Sequence, residues 1–72
     1  MIGKIRNLVE KKYFGFIQDE KGKEYFFHKT DYNGIWQDLV SEFQFNKNIV
    51  VEFNPVSSSK GLRASNIHLV ES

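Results

Sequence analysis

Over residues 2 to 9, Ile2, Ile5, Leu8 and Val9 are interleaved with Lys4, Arg6 and Asn7, and a period near two predicts a strand there. Glu10, Lys11 and Lys12 form a polar turn, and residues 13 to 18 (YFGFIQ) a second strand. The run Gln18 to Lys23 (QDEKGK), in which Gly22 is free to take a positive φ, reads as a hairpin turn into a third strand, Glu24 to His28. The period then changes. Trp36, Leu39, Val40 and Phe43 stand at i, i+3, i+4 and i+7, so a loop holding a short helix is expected within Thr30 to Phe45, with Asp31 or Asn33 as its cap. Ile49 to Phe53 (IVVEF) predicts a fourth strand, Asn54 to Gly61 (NPVSSSKG) a flexible turn, and Ala64 to Val70 a fifth strand. In that last strand Ile67 and Leu69 share one face and Asn66, His68 and Val70 the other. Five short strands give too little sheet for a two-layer sandwich. The expected fold class is therefore all-β, with five antiparallel strands closed into a small barrel so that no edge is left free.

Strand geometry also sorts the aromatic residues, because successive side chains point to opposite faces. Phe14 and Phe16 share one face, Gly15 and Ile17 the other; on the next strand Tyr25 and Phe27 separate from Phe26 and His28 in the same way. If Gly15 turns inward to make room for Tyr25 and Phe27, then Phe14, Phe16, Phe26 and His28 form one exposed cluster. Three phenylalanines and an imidazole on a surface cost solubility and call for a use. Stacking on nucleobases fits, since each ring accepts a base for roughly 1 to 3 kcal/mol with little sequence preference while nearby cations hold phosphates.

Charge supports a polyanion once it is divided along the chain. The net value is only +1, from 10 Lys and Arg against 9 Asp and Glu. Residues 1 to 30 carry +3, residues 31 to 56 carry −3, and the remainder +1. Should the two basic ends meet in space, they make one positive face. Lys4, Arg6 and Lys12 flank the aromatic strands, and Lys60 and Arg63 approach from the last turn. Lys11, Lys21, Lys23 and Lys47 read as solvated charges.

The 72 residues suffice for one domain over the whole chain, and without cysteine neither a disulfide nor a thiolate zinc site is open to it. The two histidines do not make a four-ligand metal site, and His68 reads as a strand-surface residue. No stretch approaches the roughly 20 apolar residues of a membrane helix, and the N-terminus lacks the apolar run of a signal peptide. A cytoplasmic monomer is expected, with no cofactor, metal or membrane partner.

The order of these residues resembles the cold-shock domain family. Lys12 to Ile17 (KYFGFI) is similar to its first ribonucleoprotein motif and Tyr25 to His28 (YFFH) to its second. Gly3-Lys4-Ile5-Arg6 resembles its opening strand, Val51-Glu52-Phe53 its fourth, and residues 61 to 67 (GLRASNI) its closing segment. The resemblance implies an oligonucleotide-binding (OB) barrel that binds single-stranded RNA or DNA without catalysis. It carries Phe14, Phe16, Phe26 and His28 over as stacking positions, and Lys4, Arg6, Lys12, Lys60 and Arg63 as backbone or base-edge contacts. The chain departs from the family pattern at three places. Asn7-Leu8 stands where it has Trp-Phe, Tyr13 replaces a glycine, and Lys29 replaces an aromatic after the histidine. Weaker binding than that of a typical member follows, with Lys29 offering charge in place of stacking and Tyr13 another ring near the turn. The segment 30 to 45 is longer than the family's loop. Trp36 in it belongs either to the packing of the barrel end or to the binding surface, and Tyr32 is equally open.

The function expected is therefore single-strand binding by stacking and charge, as an RNA chaperone or cold-shock-like regulator. The alternative is a barrel that has lost most nucleic-acid binding and docks a protein through the same patch and Trp36. No nucleophile and base, phosphate-cradling loop or close carboxylate pair suggests an enzyme.

Overall fold

A computed structural model describes residues 1–70. Strand β1 (Ile2–Val9) leads through a 3-10 turn (Glu10–Lys12) into β2 (Phe14–Asp19) and β3 (Glu24–His28). A second 3-10 turn (Lys29–Asp31) precedes helix α1 (Trp36–Phe45), and β4 (Val50–Ser58) and β5 (Gly61–Leu69) complete the chain. The strands hydrogen-bond in the order β1-β2-β3-β5-β4, and β4 returns to β1 to close the ring.

One pairing corrects the all-antiparallel expectation: β3 runs parallel to β5, through Phe26 and Arg63. The reason is parity. Strand direction cannot alternate all the way around a ring of five, so closure forces one parallel pair. That pair falls between β3 and β5, the strands separated by α1 and β4.

The inner face holds Ile5, Ile17, Tyr25, Phe27, Ile49, Val51, Phe53, Ala64 and Ile67, all under 5% exposed. Tyr25 and Phe53 meet at 5.0 Å between ring centroids. Helix α1 lays Trp36, Leu39 and Val40 onto this core with Phe43 packed beside them, the face its spacing predicts. Neither Asp31 nor Asn33 caps it; its N-cap is Ile35, without a side-chain hydrogen bond.

The segment from Asn54 to Gly61 is not the flexible turn expected. Residues 54 to 58 extend β4 and pair with β5 from Asn54↔Ser65 to Ser58↔Gly61, leaving Ser59 and Lys60 as the turn. This arm buries no side chain on β4, so its residues lack the alternation by which a strand is read. Pro55 is tolerated because β4 is paired there on one side only, with β1 reaching no further than Glu52. A register shift between Glu52 and Asn54, opposite Asn66 at φ 51°, separates the arm from the barrel wall. On β5 Ile67 is buried, whereas Leu69 at the strand end is 43% exposed.

Candidate nucleic-acid interface

The β2–β3 hairpin decides which rings reach the surface. Its register pairs Phe14 with His28, Gly15 with Phe27, Phe16 with Phe26 and Ile17 with Tyr25. Gly15, Ile17, Tyr25 and Phe27 turn inward, and Phe14, Phe16, Phe26 and His28 form a half-buried outer face, as alternation predicts. Three of the rings make a triangle, with centroid separations of 5.9 Å (Phe14–Phe16), 5.5 Å (Phe14–Phe26) and 6.0 Å (Phe16–Phe26). Mutual edge and tilted contacts hold them in place, so a planar ligand meets surfaces already ordered. His28 closes the row, its Nδ1 accepting a long contact of 3.4 Å from the Thr30 amide.

The hairpin turn keeps this register. Gly22 takes φ 87°, and the Asp19 carboxylate accepts from the amides of Lys21 and Lys23 at 2.9 Å each and from the Tyr25 hydroxyl at 3.0 Å. Desolvation opposes ionisation of Asp19, but the hydrogen bonds from Lys23, Tyr25 and Lys21 outweigh it and hold the carboxyl below its ordinary 3.8. Tyr25 is raised above its usual value by desolvation and by its bond to Asp19, so it stays a donor.

The expected cations border the patch from two sides, because β1 and β5 flank the hairpin. Lys4 lies opposite Gln18 on the outward row that continues to Phe16, and exposed Arg6 falls at the bulge between Ile5 and Asn7. Asn7 stands directly opposite Phe16, so the ring missing from the opening strand is missing from the edge of this patch. Lys12 is exposed at the end of the first 3-10 turn. On the other side a groove of about 510 Å³ runs between Phe16 and Phe26 and the β4–β5 turn, lined also by Lys60, Leu62 and Arg63. Glu71, counted in the charge of the tail, lies outside the described residues.

Arg63 is not a free cation. Its Nε and Nη2 donate to Asp31 Oδ2 at 3.2 and 2.9 Å, and the same oxygen accepts from the His28 amide at 3.0 Å. Asp31 thus fastens the end of β3 to β5 beside the rings, a role that sequence reading missed by assigning it to the helix. Its position three residues after His28, as the acceptor of a capping box, was the available signal.

Trp36 must be removed from the candidate surface. It is 8% exposed and packs edge-on against Phe27 at 6.2 Å, inside the barrel end. Tyr32 also packs against the core; burial, with the charge of Asp38 second, raises its hydroxyl above the ordinary range. His68 is exposed, as expected, and meets Glu52 at 3.0 Å.

Two departures from the expected pattern touch each other. The Lys29 ammonium lies 4.4 Å from the centroid of the Tyr13 ring, and the Lys29 amide donates to the Tyr13 carbonyl at 2.8 Å. Tyr13 sits at φ 60°, ψ 39°, the left-handed region, which costs a residue with a side chain roughly 1–3 kcal/mol.

Among the described residues, no group of three or more His, Cys, Asp or Glu is placed to hold a metal ion, and no helix is long and apolar enough to cross a membrane. A family model described as the 'Cold-shock' DNA-binding domain matches residues 1–70. No curated protein matches the chain.

Proposed function

The chain belongs to the 'cold-shock' DNA-binding domain family, a family of nucleic-acid-binding domains and not of enzymes, and from that premise we propose that it binds single-stranded RNA or DNA on the β2–β3 face. The single observation that carries this reading is the outward triangle of Phe14, Phe16 and Phe26 with His28 in the same row. Unpaired bases stack on these rings, while Lys4, Arg6, Lys12, Lys29 and Lys60 face the phosphates and Arg63, held by Asp31, offers a base-edge contact. Duplex binds poorly, because its bases are already stacked on one another. The barrel is the small OB type, acting as a cytoplasmic monomer. By trapping unpaired bases it opens weak secondary structure, which is the action of an RNA chaperone.

The test is affinity for a short pyrimidine-rich single strand, measured beside the corresponding duplex. Phe14→Ala and Phe26→Ala are each expected to weaken single-strand binding by about 1 to 3 kcal/mol with the fold intact. Unchanged affinity in both variants, or equal affinity for duplex, would overturn this surface.

A further inference from the structure

Tyr13 is a large aromatic side chain in an awkward place. Its backbone is left-handed, a conformation that only glycine adopts without strain, and the residue remains 46% exposed, so burial does little to offset that strain. The other two tyrosines differ: Tyr25 is buried and bonded to Asp19, and Tyr32 packs on the core. Strain held by an exposed ring directs attention to what the ring contacts from outside.

Its location answers that. The bond from the Lys29 amide to the Tyr13 carbonyl carries the hairpin ladder one step beyond the Phe14–His28 pair, the last pair of the aromatic face. The Lys29 ammonium, 4.4 Å from the ring centroid, adds a cation at the same spot. An aromatic face with a lysine beside it is the combination that holds one nucleotide of a single strand, base on the ring and phosphate on the ammonium.

We propose that Tyr13 is a fifth stacking ring, taking one nucleotide beyond the Phe14–His28 pair with Lys29 as its phosphate partner, an inference that rests on the single-strand reading of the same face. Lys29 covers the ring in the free protein and moves aside to the phosphate when a base arrives.

The experiment uses oligothymidylates of increasing length against the wild type, Tyr13→Gly, Tyr13→Phe and Phe14→Ala, with melting temperature recorded for each. Glycine is at ease at φ 60°, so Tyr13→Gly is expected to melt no lower than the wild type. It should nonetheless bind a long oligothymidylate about 5- to 150-fold more weakly, the loss of one stacked base. The gain in affinity from the last added nucleotide should disappear with it, and Tyr13→Phe, which keeps the ring, should retain that gain. A merely structural tyrosine predicts the reverse: a change in melting temperature and none in the length dependence. If Phe14→Ala is weakened and Tyr13→Gly binds as the wild type does, Tyr13 is no part of the platform. If the wild type itself fails to bind, the single-strand reading falls and takes this inference with it.

Discussion

Gly15 places two phenylalanines on the surface by keeping itself out of the way. An ideal Cβ at this position would lie 2.6 Å from the Asn7 carbonyl oxygen, 2.7 Å from Leu8 Cδ2 and 2.9 Å from Phe27 Cε1. Two of those are backbone or a fully buried ring, which have little room to retreat. Gly15→Ala is therefore expected to lower stability by about 1–3 kcal/mol in urea denaturation, the ordinary penalty of overpacking. Wild-type stability would show that the wall has slack. Asp31 gives a second expectation. Removing it takes away charge-assisted hydrogen bonds to Arg63 and the cap on the His28 amide, so Asp31→Ala should cost roughly 1–3 kcal/mol. Arg63→Ala added to that variant should then cost little more, because the two groups share one interaction, and full additivity in the cycle would deny the coupling.

Among the elements, the β2–β3 hairpin was legible and the β4–β5 arm was not, for one reason. In the hairpin every second residue is buried, and the one small residue, Gly15, marks which row, with Ile17, Tyr25 and Phe27, turns inward. In residues 54 to 58 every side chain of β4 is exposed, so only backbone pairing makes a strand and nothing in the side chains announces it. The helix lies between these cases: its buried stripe could be read, but whether Trp36 faced the core or the ligand depended on where the barrel end stood. Its buried place predicts that Trp36 emission shifts little when a single strand is added and strongly when the chain unfolds; strong quenching by an oligonucleotide would contradict its position against Phe27. The hairpin turn carries a pH dependence of its own. Asp19 is held below 3.8 in the folded chain, so its contribution to stability is full above that ordinary value and is lost as pH falls below it towards the lowered folded value. Asp19→Asn should flatten acid denaturation in this range, and an acid limb as steep as that of the wild type would place the titrating carboxylate elsewhere.

Closure of the five strands turns the uneven charge of the chain into an arrangement in space. The ring order sets the basic N-terminal strand on one side of the aromatic hairpin and the Lys60–Arg63 turn on the other, so a strand lying across the rings meets cations at both margins. Lys4, Arg6, Lys12, Lys29 and Lys60 are outside any ion pair among the described residues, whereas Arg63 is already neutralised by Asp31. Each free cation that displaces counterions from a single strand contributes about −0.7 to the log–log salt slope, so these residues set a limit of about −3.5. Affinity that falls with salt, by a slope no steeper than this, is the expected result of a titration with oligothymidylate. Asp31→Ala, which frees Arg63, should steepen it by about 0.7 even as it weakens the fold, a combination that general loosening of the barrel does not produce. A flat salt response beside tight binding would mean that the rings act without the cations, and would return this face to the alternative of an apolar docking surface for protein.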